Sequence, residues 1–267
     1  MSTLPHSGHD YPHLLGRWKE VCHTSGLRCE TICEIGELPV VKVENAAAAA
    51  GDPGGLYVSA GVHGDECAPV WALLDWVASA PLILREKPVV LFPCLNPAGL
   101  IENTRHDGLG IDLNRSFADT SHPVIAAWQQ TVAGRRFEAS VHLHEDYDAT
   151  GIYLYELTRT KSRGDQLLFA CEPHLTRDPA SIIDGSDFES GLFVRTTGIE
   201  QIVEEQLGGG YPEAILLFLK HAEVSYTFET PSEADLPRRI ATHRAFLEAV
   251  AEGLVGPFQR GLGSLRV

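Results

Sequence analysis

The sequence predicts an α/β fold in which helices cover both faces of a central sheet. Short apolar runs rich in strand-forming residues alternate along the chain with segments of helical periodicity. The chain has 267 residues, of which 44% are hydrophobic and 21% charged, so it is long enough to bury one large core. We therefore predict a single domain over residues 1–267.

The predicted elements follow one another as strand, loop and helix. Residues 56–62 (LYVSAGV) are a short apolar run and predict the first strand, and residues 68–78 then show helical periodicity. The alanines at 46–50, followed by GDPGG, predict a surface turn. The remaining predictions are strands at 88–95, 137–143 and 224–228 and helices at 122–131 and 235–252.

Composition excludes several classes of partner. The net charge of −15 argues against binding nucleic acid or an anionic membrane surface, because both repel an acidic protein. The first 20 residues lack a basic segment followed by an apolar run, and no 18 apolar residues are consecutive, so we expect a cytoplasmic protein. The six cysteines are then expected to be reduced, and Cys29 and Cys33 lack the second pair that a zinc finger needs.

The first candidate metal ligands directly follow the first predicted strand. His63 and Glu66 form the motif H-G-D-E, in which an imidazole and a carboxylate can converge as the chain enters a helix. A hydrolytic zinc ion takes three protein ligands from His, Asp or Glu and keeps one open position for water. An isolated H-x-x-E is more often a solvated turn, so a third ligand is required.

The third ligand is expected at the end of the predicted strand 137–143. His142 and His144 lie in V-H-L-H-E, and strand alternation places both on one face. His144 stands where the loop begins and is the preferred ligand, whereas His142 lies one step deeper and is the better candidate for a core histidine.

Arginines and a glutamate supply the remaining chemistry. Arg105 and Arg115, with Asn114 beside it, follow the strand 88–95, and a guanidinium there can bind a carboxylate or stabilise a developing oxyanion. Glu229 ends the strand 224–228 and can act as the base that takes a proton from water, whereas Glu233 lies in a loop and is the alternative.

Six short motifs in this order carry a family resemblance. They are H-G-D-E (63–66), N-P-A-G (96–99), T-R (104–105), G-I-D-L-N-R (110–115), L-H-E (143–145) and T-F-E-T-P (227–231). The chain resembles the zinc carboxypeptidase superfamily, near its short bacterial members and the succinylglutamate desuccinylase and aspartoacylase branch. Each motif is weak alone, but their order makes the resemblance specific.

The resemblance implies a mixed, roughly eight-stranded twisted sheet with one Zn²⁺ per chain. The zinc ligands would be His63, Glu66 and His144, and Glu229 would be the general base.

The same resemblance assigns roles to the polar residues between these motifs. Arg105 would polarise the scissile carbonyl, Asn114 and Arg115 would bind the substrate carboxylate, and Asp112 would hydrogen-bond His63. Family members also place a mobile tyrosine over the substrate, for which Tyr211 in G-G-G-Y-P is the counterpart here.

Three functions remain open from the sequence. The leading one is a zinc-dependent hydrolase that cleaves an amide or peptide bond next to a free carboxylate, using water activated by the metal. The second is an N-acyl amino acid deacylase, and the third is a zinc-containing ligand-binding protein without catalysis. Residues 199–212 are expected to line the side-chain pocket, where Glu200, Glu204 and Glu205 would suit a cationic substrate if they faced inward.

Overall fold

The computed structural model describes residues 7–205 and 207–256 of the chain. The strands in these ranges are β1 Arg28–Ile35, β2 Leu38–Glu44, β3 Leu56–Ser59, β4 Val89–Phe92, β5 Phe137–Asp146, β6 Tyr153–Thr158, β7 Ile182–Ile183, β8 Ser186–Asp187, β9 Leu192–Arg195 and β10 Ala222–Pro231. The α-helices are α1 Tyr11–Ser25, α2 Ala46–Ala49, α3 Cys67–Ala78, α4 Ile83–Glu86, α5 Pro97–Glu102, α6 Pro123–Val132, α7 Gly164–Cys171, α8 Ile199–Glu205, α9 Glu213–Lys220 and α10 Leu236–Val255.

Eight of these strands form one mixed sheet, as the family resemblance implied. Their order is β1-β2-β4-β3-β5-β10-β6-β9, and β7 and β8 pair separately as a hairpin. The four central strands β4, β3, β5 and β10 are parallel, whereas β1 with β2, β2 with β4 and β10 with β6 are antiparallel. The carboxyl ends of the central strands therefore meet at one edge of the sheet.

Helices pack on both faces of the sheet and enclose two apolar cores. One core contains side chains of α1, α3, α7 and α10, and the other contains side chains of α6 and α9. Alternation along β3 explains the division, because Leu56 and Val58 enter the first core and Tyr57 enters the second. The central strands are buried on both sides, and this is why they appear in the sequence as continuous apolar runs.

The predicted elements are present, with shifted ends. The strands predicted at 56–62 and 88–95 are shorter in the structure, where their last residues become the loops that carry polar side chains. Those predicted at 137–143 and 224–228 extend further, to Asp146 and Pro231, because β5 and β10 pair with each other over their whole length.

The alanine run was predicted as a surface turn, and this was wrong. Residues Ala46–Ala49 form one turn of helix. Asn45 caps it by accepting a hydrogen bond from the Ala48 backbone N–H, and its side-chain nitrogen donates to the carbonyls of Leu84 and Lys87. Ala48 is buried in the second core, so tertiary packing adds to the high helix propensity of alanine.

Among the described residues, no helix is long and apolar enough to cross a membrane.

Candidate metal centre and substrate cleft

The candidate site lies where the connections of the sheet change direction. From β3 the chain passes to β4 on one side, and later to β5 on the other side of β3. Open α/β sheets bind ligands at this kind of switch point, beyond the carboxyl ends of the strands. His63 follows β3, His144 lies near the end of β5, and Glu229 lies near the end of β10.

Three residues from two distant parts of the chain meet at this edge. Nδ1 of His63 is 2.5 Å from Oε1 of Glu66, and Nδ1 of His144 is 2.9 Å from Oε2 of the same carboxylate. One ligand atom from each of the three lies within 4.8 Å of the other two, and all three side chains are buried. Within residues 7–205 and 207–256, this is the one such group that could hold a metal ion.

The loop that carries His63 and Glu66 requires a glycine between them. Gly64 packs directly against the backbone of Gly99 and Leu100 in α5, and a Cβ at this position would overlap those backbone atoms. Gly99 is similarly enclosed by the Asn96 side chain and the His106 carbonyl. The glycines of H-G-D-E and N-P-A-G thus allow the two loops to pack closely beside the site.

The charges of the group are mutually stabilised. Burial lowers the pKa of His63, but the Glu66 and Asp112 carboxylates together outweigh this effect and raise the pKa to about 9. Burial raises the pKa of Glu66, but the two imidazoles lower it to about 2. For His144, burial again opposes the charge and Glu66 outweighs it, so its pKa is raised. The carboxylate is therefore ionised and available to a cation.

The residues fit a zinc ion by their chemistry and compactness. Two imidazole nitrogens and one carboxylate are common zinc ligands, and ligand atoms bound to one tetrahedral zinc lie roughly 3–3.5 Å apart. The opposite nitrogen of His63, Nε2, lies 3.5 Å from Oδ1 of Asp112, at the outer limit of a hydrogen bond. Asp112 is therefore placed to orient the ring so that Nδ1 faces Glu66.

The second histidine of β5 belongs to a separate buried network. Nδ1 of His142 lies 3.1 Å from both the Glu213 carboxylate and the Ser59 hydroxyl, and Nε2 lies 3.2 Å from the Ser140 hydroxyl. The prediction that His142 is a core histidine agrees with these contacts. His142 is 1% exposed and has no place in the metal group.

Glu229 lies beside the metal group. It is the direct neighbour of His144 in the β5–β10 pairing and of Tyr153 in the β10–β6 pairing, and it lines the cleft. Burial raises its pKa to about 8, with Glu66 contributing to the increase and His144 opposing it. Glu233, the alternative from the sequence, is exposed and does not line this cavity.

The loop between α5 and α6 supplies the positive side of the cleft. Arg105 donates from Nε to Asp112 at 3.0 Å, and its Nη1 lies 3.4 Å from Nδ1 of His63. Asn114 accepts a hydrogen bond through Oδ1 from the Glu213 backbone N–H. Arg115 donates to the Asn114 carbonyl, and Arg105, Asn114 and Arg115 all line the cavity.

The cavity has a volume of about 560 Å³, and its far wall is aromatic and apolar. The wall residues include Tyr153, Tyr155, Leu157, Phe193, Ile199, Leu207 and Ile215. Tyr153 donates to Asp146, and Tyr155 donates to Asp184, which lies in the turn between β7 and β8. Sequence reasoning missed the aromatic residues, since their strands β6 and β9 were not predicted.

Some residues that the sequence placed at the substrate do not line the cleft. Tyr211 packs against the second core, and its carbonyl accepts a hydrogen bond from the Phe117 N–H. It does not line the described cavity, so a role over the substrate stays a prediction. Glu200, Glu204 and Glu205 are exposed on α8 and do not line the cavity, so the condition that they face inward is not met.

The eight-stranded mixed sheet, with this His-Glu-His group at its switch point, defines a zinc carboxypeptidase-like fold. Residues 54–149 match the family model of the succinylglutamate desuccinylase/aspartoacylase catalytic domain. The match contains all three residues of the metal group, together with Arg105 and Arg115, and ends before Glu229. The resemblance inferred from the motifs is thereby confirmed.

Solved structures share this fold at low sequence identity. A candidate metallopeptidase from Shewanella denitrificans is 20% identical with a TM-score of 0.79, over 93% of this chain and 92% of that one. A metallo-carboxypeptidase from Burkholderia cenocepacia is 15% identical with a TM-score of 0.64, over 92% of this chain and 68% of that one. One from Pseudomonas aeruginosa, in complex with (2-guanidinoethylmercapto)succinic acid, is 13% identical with a TM-score of 0.63 over the same shares. No curated protein matches this sequence.

Proposed function

We propose that this protein is a zinc-dependent hydrolase that cleaves an amide bond next to a free carboxylate, with the whole chain acting as one catalytic domain. The observation that carries the proposal is the meeting of a His-Glu-His group, a glutamate and two arginines on one cleft. Each is a part that metal-assisted acyl transfer requires, and together they leave a cavity large enough for a dipeptide or an acylated amino acid.

His63, Glu66 and His144 would hold the zinc. When bound, zinc supplies a Lewis acid that polarises the scissile carbonyl and makes a water nucleophilic near neutral pH. Asp112 would orient the ring of His63, because its Oδ1 lies 3.5 Å from Nε2, on the side away from Glu66.

Glu229 moves the proton. Its carboxylate accepts the proton of the attacking water and passes it to the amine nitrogen of the leaving group as the C–N bond breaks. The position next to His144 in the sheet suits this role, because Glu229 lies at the metal group without being one of its three residues.

The arginines bind the negative parts of the substrate. Arg105 reaches towards His63 and is placed to stabilise the carbonyl oxygen as it gains charge. Arg115 lies on the same loop and is the candidate anchor for the substrate carboxylate. Asn114 contributes its amide N–H groups, because its oxygen is already used by the Glu213 backbone N–H.

The aromatic wall favours a peptide with an apolar or aromatic residue as the leading substrate class. Tyr153, Tyr155 and Phe193 form one contiguous group of rings with Phe188, and a flat apolar side chain can pack against such a group. A second candidate is the deacylation of an N-acyl amino acid. The family-model match over residues 54–149 favours it specifically.

Hydrolysis by metal-loaded and chelated protein tests the proposal. The panel contains peptides with free and amidated carboxyl termini together with N-acyl amino acids, and metal content is measured on the same samples. About one zinc per chain and chelator-sensitive release of a carboxyl-terminal residue support the peptidase. Cleavage confined to N-acyl amino acids selects the deacylase.

Two results would contradict the proposal. Zinc binding without turnover across the panel would leave a ligand-binding protein as the remaining function. Absence of zinc from protein purified without chelator, and failure to take it up on addition, would remove the metal group from the explanation.

A further inference from the structure

A buried carboxylate lies directly behind the metal group. Glu145 follows His144 on β5, and its side chain points to the opposite face of the sheet, between α3 and α10. Oε2 accepts the Ala68 backbone N–H at 3.0 Å, and Oε1 accepts from Nη1 of Arg239 at 2.5 Å and from the Thr230 hydroxyl at 3.3 Å. Glu145 is among the residues that line the cavity, but its side chain is fully buried and both carboxylate oxygens are engaged by these contacts.

The contact with Ala68 replaces a missing helix cap. Glu66 is the N-cap residue of α3, and a side chain at this position ordinarily accepts a hydrogen bond from one of the next N–H groups. Glu66 makes no such bond, because both of its oxygens face His63 and His144. Glu145 supplies the missing acceptor from a strand 77 residues away.

Glu145 and two of the three residues that it contacts are sequence neighbours of the site. Glu145 itself adjoins His144, Ala68 is two residues beyond Glu66, and Thr230 adjoins Glu229. One carboxylate therefore connects the segments that carry two proposed metal ligands and the proposed base. Arg239 forms an ion pair with this carboxylate, and the Glu145 side chain is fully buried.

We propose that Glu145 is a positioning residue, which caps α3 in place of Glu66 and thereby leaves the Glu66 carboxylate free to bind the metal. The inference rests on the proposed function, because it assigns Glu66 to the metal. Glu145 also fixes the separation between His144 and Glu229 through its bond to Thr230. It is not one of the three residues of the metal group, and its buried carboxylate acts through the neighbours that it contacts.

The competing explanation is that Glu145 only stabilises the fold. The chain offers a matched control for this explanation. Glu156 is another fully buried strand glutamate that caps a helix from outside, since it accepts the backbone N–H groups of Arg163 and Gly164 at the start of α7. It does not line the cleft. Loss of either carboxylate destabilises the fold, but only Glu145 is connected to the metal group.

The test compares Glu145→Gln with Glu156→Gln in the full chain. A glutamine at 145 places an NH₂ group against either the Ala68 N–H or Arg239, so one of those contacts is lost at nearly constant volume. We expect Glu145→Gln to weaken Zn²⁺ affinity about 10- to 100-fold, the range seen when a support of a ligand is removed. kcat should fall by at least a similar factor, while KM changes by less than about twofold, because the hydrogen bonds of Glu145 go to Ala68, Thr230 and Arg239 and not to the proposed carboxylate anchor Arg115. Glu156→Gln should leave affinity, kcat and KM unchanged.

Thr230→Val is a milder second variant in case Glu145→Gln does not fold. It removes the hydroxyl that joins Glu145 to β10 and that also lies 3.0 Å from Nε2 of the buried His243. We expect kcat to fall about tenfold with Zn²⁺ affinity unchanged, because the link to α3 remains. The visible spectrum of Co²⁺-substituted protein provides a direct readout of ligand geometry, which should change in Glu145→Gln and stay constant in Thr230→Val.

The outcomes separate this inference from the proposed function. Equal metal affinity and spectra in Glu145→Gln and Glu156→Gln would overturn the positioning role while leaving the hydrolase intact. Wild-type protein that binds Zn²⁺ but cleaves nothing would contradict the proposed function, while the affinity comparison would still decide the inference. Failure of the wild type to bind either metal would overturn both.

Discussion

Replacing Glu229 with glutamine should destroy activity and at the same time stabilise the metal-free protein. The substitution preserves shape but removes the proton acceptor, so turnover should fall by about 10²- to 10⁴-fold with zinc still bound. The metal-free variant should nevertheless be more stable than the metal-free wild type, because the buried position of Glu229 disfavours an ionised carboxylate. Burial and the nearby Glu66 carboxylate raise its pKa from 4.5 to about 8.

The magnitude follows from proton linkage. Because the folded-state pKa is raised, the folded protein keeps a proton that the unfolded chain releases between pH 4.5 and 8. The contribution of Glu229 to stability therefore falls as the pH rises through this window. Relative to a glutamine that does not titrate, the cost is roughly 3 kcal/mol at pH 7 and about 1 kcal/mol at pH 5.

The assay is urea unfolding of chelated wild type and Glu229→Gln at both pH values, with Glu233→Gln as the control. Glu233 is exposed and lies four residues away, so its variant should match the wild type in stability and activity. A stabilisation of Glu229→Gln that grows with pH supports the reasoning. A variant less stable than the wild type at pH 7, or a difference independent of pH, would refute it.

Three further predictions concern the anchor, the metal and a buried histidine. Arg115→Ala should raise KM about 10- to 100-fold for substrates with a free carboxylate and leave amidated substrates unaffected; equal losses on both would exclude the anchor role. Chelation should lower stability by about 4 kcal/mol when free zinc had been at about 1,000 times its dissociation constant, and added Zn²⁺ should restore it; a thermal midpoint insensitive to both would contradict the metal site. Burial, aided by Arg239, lowers the pKa of His243 from 6.5 to about 3, so the unfolded chain binds the extra proton below pH 6.5 and stability falls with acidification. Relative to His243→Gln, the wild type should lose about 2 kcal/mol between pH 7.5 and 5, as measured by urea unfolding, and parallel pH profiles would argue against a neutral buried imidazole.

Much of the site could be predicted because local sequence determines it. A parallel strand buried on both faces must be apolar, so the end of each apolar run locates a loop at the carboxyl edge of the sheet. His63, His144 and Glu229 could be assigned to that edge in this way. The preference for His144 over His142 had the same basis, and the buried contacts of His142 with Ser59 and Glu213 agree with it.

The substrate pocket could not be predicted in the same way. Its aromatic wall comes from β6 and β9, whose residues resemble any half-buried strand, and from the hairpin turn that carries Asp184. Pairing of Tyr153 and Tyr155 with Glu229 and Thr227 places these rings in the cleft. That register depends on long-range sheet formation, which no local pattern encodes.

The sequence by itself determined the ligand chemistry, the α/β class and the order of the central elements, because residue type and apolar periodicity act over a few neighbouring positions. Only the tertiary structure decided which buried contacts support the segments that carry the candidate metal group. Glu145 meets Ala68 across 77 residues and Arg239 across 94. Those contacts exist because the sheet brings α3 and α10 to the same face, where a buried carboxylate must find partners or remain uncompensated.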